Sequence, residues 1–354
     1  MKKRVLSLIC ALAIMICQFT CISSLSASAT ALNTRNDFEW GINIHSATYN
    51  YTPYAQSTYN VMKQAAKLGA KVVRINYNPS IATLGETDDF MDQIVATADN
   101  FGLKIMLVSS LADTAEDVGT FYQKVAKAYA GKVAYYMLGN ELDAEFTGLT
   151  HKFSSSNTTL LNEYKEKFES AITAIKTADP TAKTAINFSC CRSGFITWLM
   201  DNSTTIKNGL DIAGIDYYSD FNNCDTSFND VVDGLYTYFE ENSLSTKIYV
   251  TEANARPTEG GNYDTDASWL TGLMTSAYNN SKISGFIPYE LYDEPTFESD
   301  DEGNFHPESH YGLIDQNRIE KSTFTAVQTL MGGSDVVDNN IPAAPTGDYV
   351  KAVS

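Results

Sequence analysis

Short apolar runs rich in β-forming residues recur along the chain at a nearly constant interval, and this interval is the strongest constraint on the fold. Eight runs are strand candidates: 39–45, 71–76, 103–109, 132–140, 183–189, 211–218, 247–252 and 285–291. Spacings of 31, 33, 31, 48, 30, 34 and 38 residues separate their ends, taken at His45, Asn76, Ser109, Asn140, Phe188, Tyr218, Glu252 and Glu290. Amphipathic helical stretches such as 57–68 and 115–129 lie between them. Because a βαβ unit takes about 30 residues or more, the spacing predicts a succession of such units.

The strand candidates indicate a parallel sheet that is covered on both faces. Segments such as 71–75 and 212–215 lack the regular alternation of apolar and polar residues that is typical of antiparallel strands with one solvent-exposed face. Eight βα units in one chain predict a single-domain α/β fold, the (β/α)₈ TIM barrel. A doubly wound sheet is the alternative, but Gly41-Ile42-Asn43 in the first strand leads into no glycine-rich phosphate-binding sequence.

Two of the connections are longer than the rest, and both follow a strand. Residues 143–157 lengthen the loop after the fourth strand, and residues 291–317 lengthen the loop after the eighth. In a barrel these loops lie on the C-terminal face, where active sites are built. We therefore look for functional residues at the strand ends.

The N-terminus has the pattern of a secretory signal. Lys2-Lys3-Arg4 precede a mostly apolar stretch, 5–19, and Ala27-Ser28-Ala29 is a small-residue cleavage site. An uncleaved anchor is the alternative, but the apolar stretch is shorter than the ~20 residues that span a bilayer. We expect a signal peptide at 1–29, a catalytic domain at 30–331, a flexible tail at 332–354, and a secreted, extracellular protein.

The charge balance excludes several classes of partner. The chain has 43 acidic and 25 basic residues, a formal charge of −18, and loss of the predicted signal would make it −21. Nucleic-acid binding depends on clustered Lys and Arg, so we expect no nucleic acid and, after signal cleavage, no membrane as partner. With 44% hydrophobic residues the chain is expected to be globular, and we expect a monomer.

Cysteine and histidine offer no obvious metal site. The predicted mature chain keeps Cys190, Cys191 and Cys224, and adjacent strand residues point to opposite faces. Cys224 could therefore pair with one of the other two, or all three could be reduced. The histidines are scattered without the spacing of metal ligands, so no metal and no cofactor are expected.

Two carboxylates follow apolar strands at the predicted barrel mouth. Strand four leads into Gly139-Asn140-Glu141, and strand seven ends in Val250-Thr251-Glu252. Acids are also favoured at helix starts, but two of them at barrel strand ends favour a functional role. Two carboxylates that meet in a cleft can cleave a glycosidic bond, because repulsion leaves one of them protonated as the acid.

At these positions the sequence resembles the clan A retaining glycoside hydrolases, including cellulase-like and xylosidase-like families. The resemblance implies that Glu141 is the general acid/base, that Glu252 is the nucleophile, and that Asn140 binds the substrate's 2-hydroxyl. Arg74, in Val72-Val73-Arg74-Ile75-Asn76, matches the clan's arginine beside the nucleophile. Tyr218, in Gly214-Ile215-Asp216-Tyr217-Tyr218, matches an aromatic residue near the nucleophile.

Further residues at the strand ends are candidates for sugar contacts. His45, Asn43, Tyr289 and Glu290 are expected either to bind sugar or to pack in the core. Many clan members carry a strand-eight tryptophan, which the stretch 286–290 lacks, and Tyr289 is expected in its place. Four loop acids are expected to be solvated instead: Asp143, Glu145, Asp293 and Glu294.

The sequence therefore predicts a secreted retaining glycosidase that acts on a β-linked poly- or oligosaccharide. The retaining mechanism predicts about 5–5.5 Å between the carboxyls of Glu141 and Glu252. The alternatives are a catalytically silent carbohydrate-binding barrel and a metal-dependent barrel hydrolase. Intact Glu141 and Glu252 disfavour the first, and the missing histidine pair on strand one disfavours the second.

Overall fold

The computed structural model describes residues 31–44, 57–77, 89–109, 111, 114–147, 152–220, 226–294 and 305–336. The predicted signal peptide, His45, Cys224 and the end of the predicted tail lie outside these residues. Leu32–Ser354 form one compact unit.

Eight parallel strands close into a barrel in chain order, which confirms the predicted fold. They are β1 (Glu39–Ile44), β2 (Val72–Asn76), β3 (Lys104–Ser109), β4 (Val133–Leu138), β5 (Lys183–Ser189), β6 (Ile212–Tyr218), β7 (Lys247–Asn254) and β8 (Ile283–Phe286). The barrel closes where Glu39 and Trp40 of β1 pair with Gly285 and Phe286 of β8. A β-carbon on Gly285 would lie 2.4 Å from the ring of Tyr249, so only glycine lets β7 and β8 approach at this level.

Helices follow the strands and cover the outside of the barrel. Within the described ranges they are α1 (Thr58–Leu68), α2 (Asp89–Phe101), α3 (Ala115–Ala128), α4 (Thr158–Ala178), α5 (Gly194–Asn202), α6 (Thr204–Gly209), α7 (Phe228–Glu241), α8 (Tyr263–Asn279) and α9 (Ser322–Met331). Several begin at a capping side chain. The Ser57 hydroxyl, for example, accepts a hydrogen bond from the Asn60 amide at 3.2 Å, which satisfies a free donor at the start of α1.

The strands present alternate residues to two apolar cores. Val73, Ile75 and Leu107 belong to a large cluster shared with the helices. A smaller cluster fills the barrel itself: Val72, Met106, Val108, Tyr135, Met137, Ala185, Ile212, Tyr249 and Ile287. This filled interior supports the strand ends from below, so polar side chains there are held on a rigid base.

The strand bounds differ from the sequence prediction where the site is formed. β4 ends at Leu138, because Gly139 takes a left-handed conformation with φ of 74°, and Glu141 also has positive φ, at 46°. β7 instead continues to Asn254, so Glu252 lies within the strand. A non-glycine residue with positive φ is uncommon, and the turn at Gly139 is what aims Glu141 away from the strand direction.

The end of the compact unit also extends beyond the predicted domain boundary. Gly332 ends α9 in a left-handed conformation, and the Gly333 amide donates to the Gln328 carbonyl at 2.9 Å. A β-carbon on Gly333 would lie 2.3 Å from the Lys67 carbonyl oxygen, so this residue packs closely against the end of α1. Gly332 and Gly333 are thus part of the packed structure.

Cys190 is buried and carries a free thiol, so it is not paired with Cys224. The side chain of Cys191 lies outside the described residues. Burial raises the pKa of the Cys190 thiol to about 12, which makes it an unreactive core residue. No described helix is both long and apolar enough to cross a membrane.

Candidate active site

A cavity of about 450 Å³ opens at the C-terminal ends of the strands. Its lining includes seven of the predicted residues: Asn43, Arg74, Asn140, Glu141, Tyr218, Glu252 and Tyr289. The other lining residues are Ile44, Asn76, Ala144, Ser189, Arg192, Asp220, Arg256, Glu308 and Tyr311. The barrel thus brings side chains from distant parts of the sequence to one polar cavity.

Glu141 is partly buried, and its carboxyl is tuned to hold a proton near neutral pH. Burial raises its pKa to about 7, and the negative charge of Glu252 adds to the rise. The Ser189 hydroxyl donates to Glu141 Oε1 at 2.6 Å and opposes the shift, because it stabilises the ionised form. A carboxyl with a pKa near the working pH is suited to general acid/base chemistry.

Glu252 is buried, and two donors hold its carboxylate. Arg74 Nη1 lies 2.7 Å from Glu252 Oε1, and the Tyr218 hydroxyl donates to Glu252 Oε2 at 2.6 Å. Burial alone would lower the pKa of Arg74, but the charges of Glu252 and Asp216 raise it, so the guanidinium stays positive. Burial and the Glu252 charge raise the pKa of Tyr218 well above its usual value, so the phenol remains a donor.

Asn43 and Asn140 fix the position of Arg74. Arg74 Nη1 donates to Asn43 Oδ1 at 2.6 Å, and Nη2 donates to Asn140 Oδ1 at 2.5 Å. The Asn43 amide nitrogen in turn donates to the carbonyls of Thr251 and Pro288 at 3.0 and 3.1 Å. Asn43 therefore has a supporting contact with Arg74, in addition to its position on the cavity wall. Asn140 Oδ1 accepts, so its amide nitrogen is the atom left to face the cavity.

The prediction that Asp143 is a solvated loop charge is wrong. Asp143 is fully buried, and Arg192 Nη1 donates to its Oδ2 at 3.0 Å, as does the Ser189 backbone amide at 3.2 Å. Burial raises the pKa of Asp143 to about 6 despite the opposing charge of Arg192. The partner lies 49 residues further along the chain, which local sequence does not reveal.

The loop after β8 is also more buried than predicted. Asp293 is 7% exposed and pairs with Lys321 at 2.6 Å, and Glu294 is also 7% exposed, so both expectations of a solvated charge are wrong. Glu145 is exposed, as expected. Glu290 is 1% exposed and is not among the cavity-lining residues, and His45 lies outside the described residues, so their sugar-binding roles stay predictions.

Several polar residues of the site were not singled out from the sequence. Beneath the two carboxylates, Asn187 and Asp216 form a buried hydrogen-bond network, and Ser189 contacts Glu141 directly. Asp216 interrupts the apolar strand Ile212–Tyr218, and a buried acid of this kind is the signal that could have identified the network. On the outer wall, Arg256 pairs with Asp220.

The geometry separates two carboxyls into two environments within one cavity. Glu252 faces a buried cation, whereas Glu141 faces a hydroxyl and has its pKa raised toward neutrality. Such a pair can supply an anion and an acid at the same time. Within the described part of the chain, no three His, Cys, Asp or Glu residues form a group that could hold a metal ion.

Comparison with solved structures finds the same fold among glucosidases. The family 1 β-glucosidase from Thermotoga maritima matches with a TM-score of 0.59 and 13% identity, over 87% of this chain and all of that one. Its complex with cyclophellitol gives a TM-score of 0.60 with the same identity and coverage. A glucosidase from Croceicoccus marinus matches with a TM-score of 0.60 and 13% identity, over 82% of this chain and 66% of that one.

At 13% identity this likeness establishes the fold. No protein-family model matches the sequence, and no curated protein matches it. The chain therefore has a (β/α)₈ barrel, and this fold by itself does not define an activity.

Proposed function

We propose that this protein is a secreted retaining β-glycosidase, with Glu252 as nucleophile and Glu141 as general acid/base. The observation that carries the proposal is the opposite setting of these two carboxyls in one cavity. Arg74 and Tyr218 hold Glu252 at 2.7 and 2.6 Å, while Glu141 has a pKa of about 7. The fold shared with β-glucosidases supports a β-linked substrate.

The first step joins the sugar to the enzyme. Glu252 attacks the anomeric carbon, and the bond to the leaving oxygen breaks as Glu141 gives that oxygen its proton. The Arg74 and Tyr218 contacts keep the Glu252 carboxylate in one orientation for this attack. The product is a glycosyl ester of Glu252, and the aglycone leaves with the proton of Glu141.

The second step releases the sugar with its configuration retained. Once Glu252 is esterified its negative charge is gone, and this charge is one cause of the raised pKa of Glu141. Glu141 then stays ionised more readily and takes a proton from water as the water attacks the anomeric carbon and the bond from that carbon to Glu252 breaks, which restores the Glu252 carboxylate. Two inversions at one carbon give net retention.

The cavity walls suit an uncharged sugar. Tyr218, Tyr289 and Tyr311 form a cluster with ring centres 5.3–6.1 Å apart, next to the Glu252 carboxylate. Such rings offer both apolar faces and hydroxyls, as a sugar does. Each cationic residue of the lining pairs with a carboxylate; these residues are Arg74, Arg192 and Arg256. The described lining therefore has no net positive charge that would attract an acidic sugar. We propose a neutral β-linked oligo- or polysaccharide.

Azide rescue of two variants tests the roles of the two glutamates. Glu252→Ala should lose turnover of aryl β-glycosides, and azide should restore it by attacking from the vacated side to give an α-glycosyl azide. Glu141→Ala should lose about 10²–10⁴-fold on substrates with poor leaving groups but keep attack on activated aryl glycosides. Azide should then give a β-glycosyl azide. Proton NMR identifies each anomer.

The wild-type protein provides the control in the same assay. Its first-formed sugar should keep the β configuration, and an α product would exclude double displacement. Near-full activity of Glu252→Ala would exclude Glu252 as nucleophile. A wild-type protein that binds β-linked sugars without cleaving any of a panel of glucans, mannans, xylans and galactans would instead favour the silent carbohydrate-binding barrel.

A further inference from the structure

Asn187 lies at the end of β5 and connects the strand that leads to Glu141 with the rest of the site. Its Oδ1 accepts from the Glu141 backbone amide at 3.1 Å, and its Nδ2 donates to Asn140 Oδ1 at 2.9 Å. The same Nδ2 donates to Asp216 Oδ2 on β6 at 2.6 Å. Asn187 is 1% exposed, so water does not compete for these contacts.

Asp216 continues the connection to the strand of Glu252. Its Oδ1 accepts from the Thr251 hydroxyl at 2.6 Å, and Thr251 directly precedes Glu252 in β7. Asp216 and Glu252 are also register partners across β6 and β7. Asp216 is fully buried, and a β-carbon on Gly214 would lie 2.5 Å from Thr251 Oγ1, so the space for this contact depends on glycine.

Hydrogen bonds thus link the Glu141 backbone amide through Asn187 and Asp216 to Thr251. The donors and acceptors of this bridge allow only one orientation of the Asn187 amide. A flipped Asn187 amide would turn its nitrogen toward the Glu141 backbone amide, so two donors would face each other where a hydrogen bond now forms. Burial raises the pKa of Asp216 well above its usual value, and the charges of Glu252 and Glu141 add to the rise. A third carboxyl beneath the other two therefore belongs to the same electrostatic unit.

We propose that Asn187 and Asp216 are positioning residues that fix Glu141 relative to Glu252. This inference rests on the proposed glycosidase function. The backbone of Glu141 has positive φ, and the bridge holds that backbone through its amide. Without the bridge the turn after β4 loses its anchor, and a displacement on the order of 1 Å at a catalytic group can lower the rate about 10²-fold.

Exchanging the amide of Asn187 and the carboxyl of Asp216, first singly and then together, tests the bridge. Asn187→Asp keeps the volume and the acceptor for the Glu141 amide, but it sets a second carboxyl against Asp216 and Asn140. We expect kcat to fall on the order of 10²-fold with little change in KM. The alkaline limb of the pH profile should move to higher pH, because the added negative charge raises the pKa of Glu141.

The double variant Asn187→Asp/Asp216→Asn should recover part of this loss. It again places a donor opposite an acceptor between positions 187 and 216, and it returns the number of carboxyls to that of the wild type. The alkaline limb should return toward its original position. Recovery will be partial, because Asn140 Oδ1 keeps its Arg74 contact but loses the one from position 187.

Thr184→Ala is the matched control. Thr184 is buried at the opposite end of β5, where its hydroxyl donates to the Gly209 carbonyl at 2.5 Å. This variant should lower the melting temperature and leave kcat and the pH profile unchanged.

The possible outcomes distinguish a failure of the proposed bridge from a failure of the proposed function. An Asn187→Asp variant within twofold of wild-type kcat, or a double variant no better than the single one, would overturn the bridge. If the wild type cleaves no glycoside, or if Glu252→Ala is fully active, the proposed function fails and the bridge falls with it. An active wild type, an inactive Glu252→Ala variant and a double variant that recovers activity would support both the proposed function and the bridge.

Discussion

Glu141 and Glu252 differ in the groups that surround their carboxyls, although each lies near the C-terminal end of a strand of the same barrel. Glu252 has two donors at 2.6–2.7 Å, one of them a buried cation. Glu141 has one neutral donor, Ser189, together with burial and a nearby negative charge. The proposed division of labour between nucleophile and acid therefore follows from their immediate neighbours.

This difference predicts how activity depends on pH. Glu141 acts as acid in its protonated form, so kcat/KM should fall as pH rises through about 7, the pKa of that carboxyl. Ser189→Ala removes a donor to the ionised form, so the pKa of Glu141 should rise and the alkaline limb should move to higher pH. The pH profile of kcat/KM on an aryl β-glycoside measures both effects.

Ser203→Ala serves as a control for this prediction. Ser203 caps α6 on the outside of the barrel, so its loss should lower stability without moving the alkaline limb. If the alkaline limb of the kcat/KM profile stayed at the same pH in Ser189→Ala, the role assigned to Ser189 would be wrong.

What the sequence predicts at the residue scale depends on whether a residue's partners are local. Glu141 and Glu252 could be predicted because each stands at the end of an apolar segment that is visible in the sequence itself. Asp143 could not, because its burial depends on Arg192, and neither could Asn187, whose contacts come from the turn after β4 and from β6. The sequence reports which groups are polar, but their pairing across the barrel follows only from the closed sheet.

At the scale of elements, a buried ion pair fixes the loop after β8. Lys321 Nζ lies 2.6 Å from Asp293 Oδ1 and donates to the His310 carbonyl at 2.9 Å, and both residues are buried. The same ammonium lies 4.8 Å from the ring centre of Tyr263. The pair therefore ties the start of α9 to the segment that carries Tyr311 and Glu308 on the cavity wall.

Breaking this pair should destabilise the protein strongly. Lys321→Met leaves Asp293 buried without its cation, so we expect the free energy of unfolding to fall by about 3–5 kcal/mol. Lys132→Met breaks a pair on the surface, because the side chains of Lys132 and Asp99 are 51% and 70% exposed. This variant should change the free energy of unfolding by about 0–1 kcal/mol. Chemical denaturation of the two variants measures the difference, and equal losses would contradict the argument.

The elements themselves were largely predictable, and their ends were not. Apolar periodicity predicts the strands and helices of the barrel. This pattern extends over many residues, so a single exception does not hide it. Their ends depend on single backbone conformations. Gly139, for instance, takes positive φ and ends β4 at Leu138, whereas the apolar pattern alone continued the strand to Asn140.

At the scale of the whole molecule, closure of the barrel explains why a sequence with dispersed polar residues has one concentrated site. Strand ends meet at one rim, so residues at or just after the ends of β1, β2, β4, β5, β6, β7 and β8 line the same cavity. The strand spacing predicted this convergence. The shape of the outer rim depends on the long loops, whose conformation the spacing does not determine.

The limits of the folded molecule can be tested at both ends of the chain. The exported protein should begin at Thr30, after Ala27-Ser28-Ala29, which N-terminal sequencing would establish. A chain of residues 30–336 should match the full mature chain in melting temperature and activity. A chain of residues 30–331 should be less stable by about 1 kcal/mol, because it lacks Gly332 and Gly333, which end α9 and pack against α1. Equal melting temperatures for the two truncated chains would show that these glycines do not contribute, and retention of residues 1–29 in the exported protein would exclude the predicted cleavage.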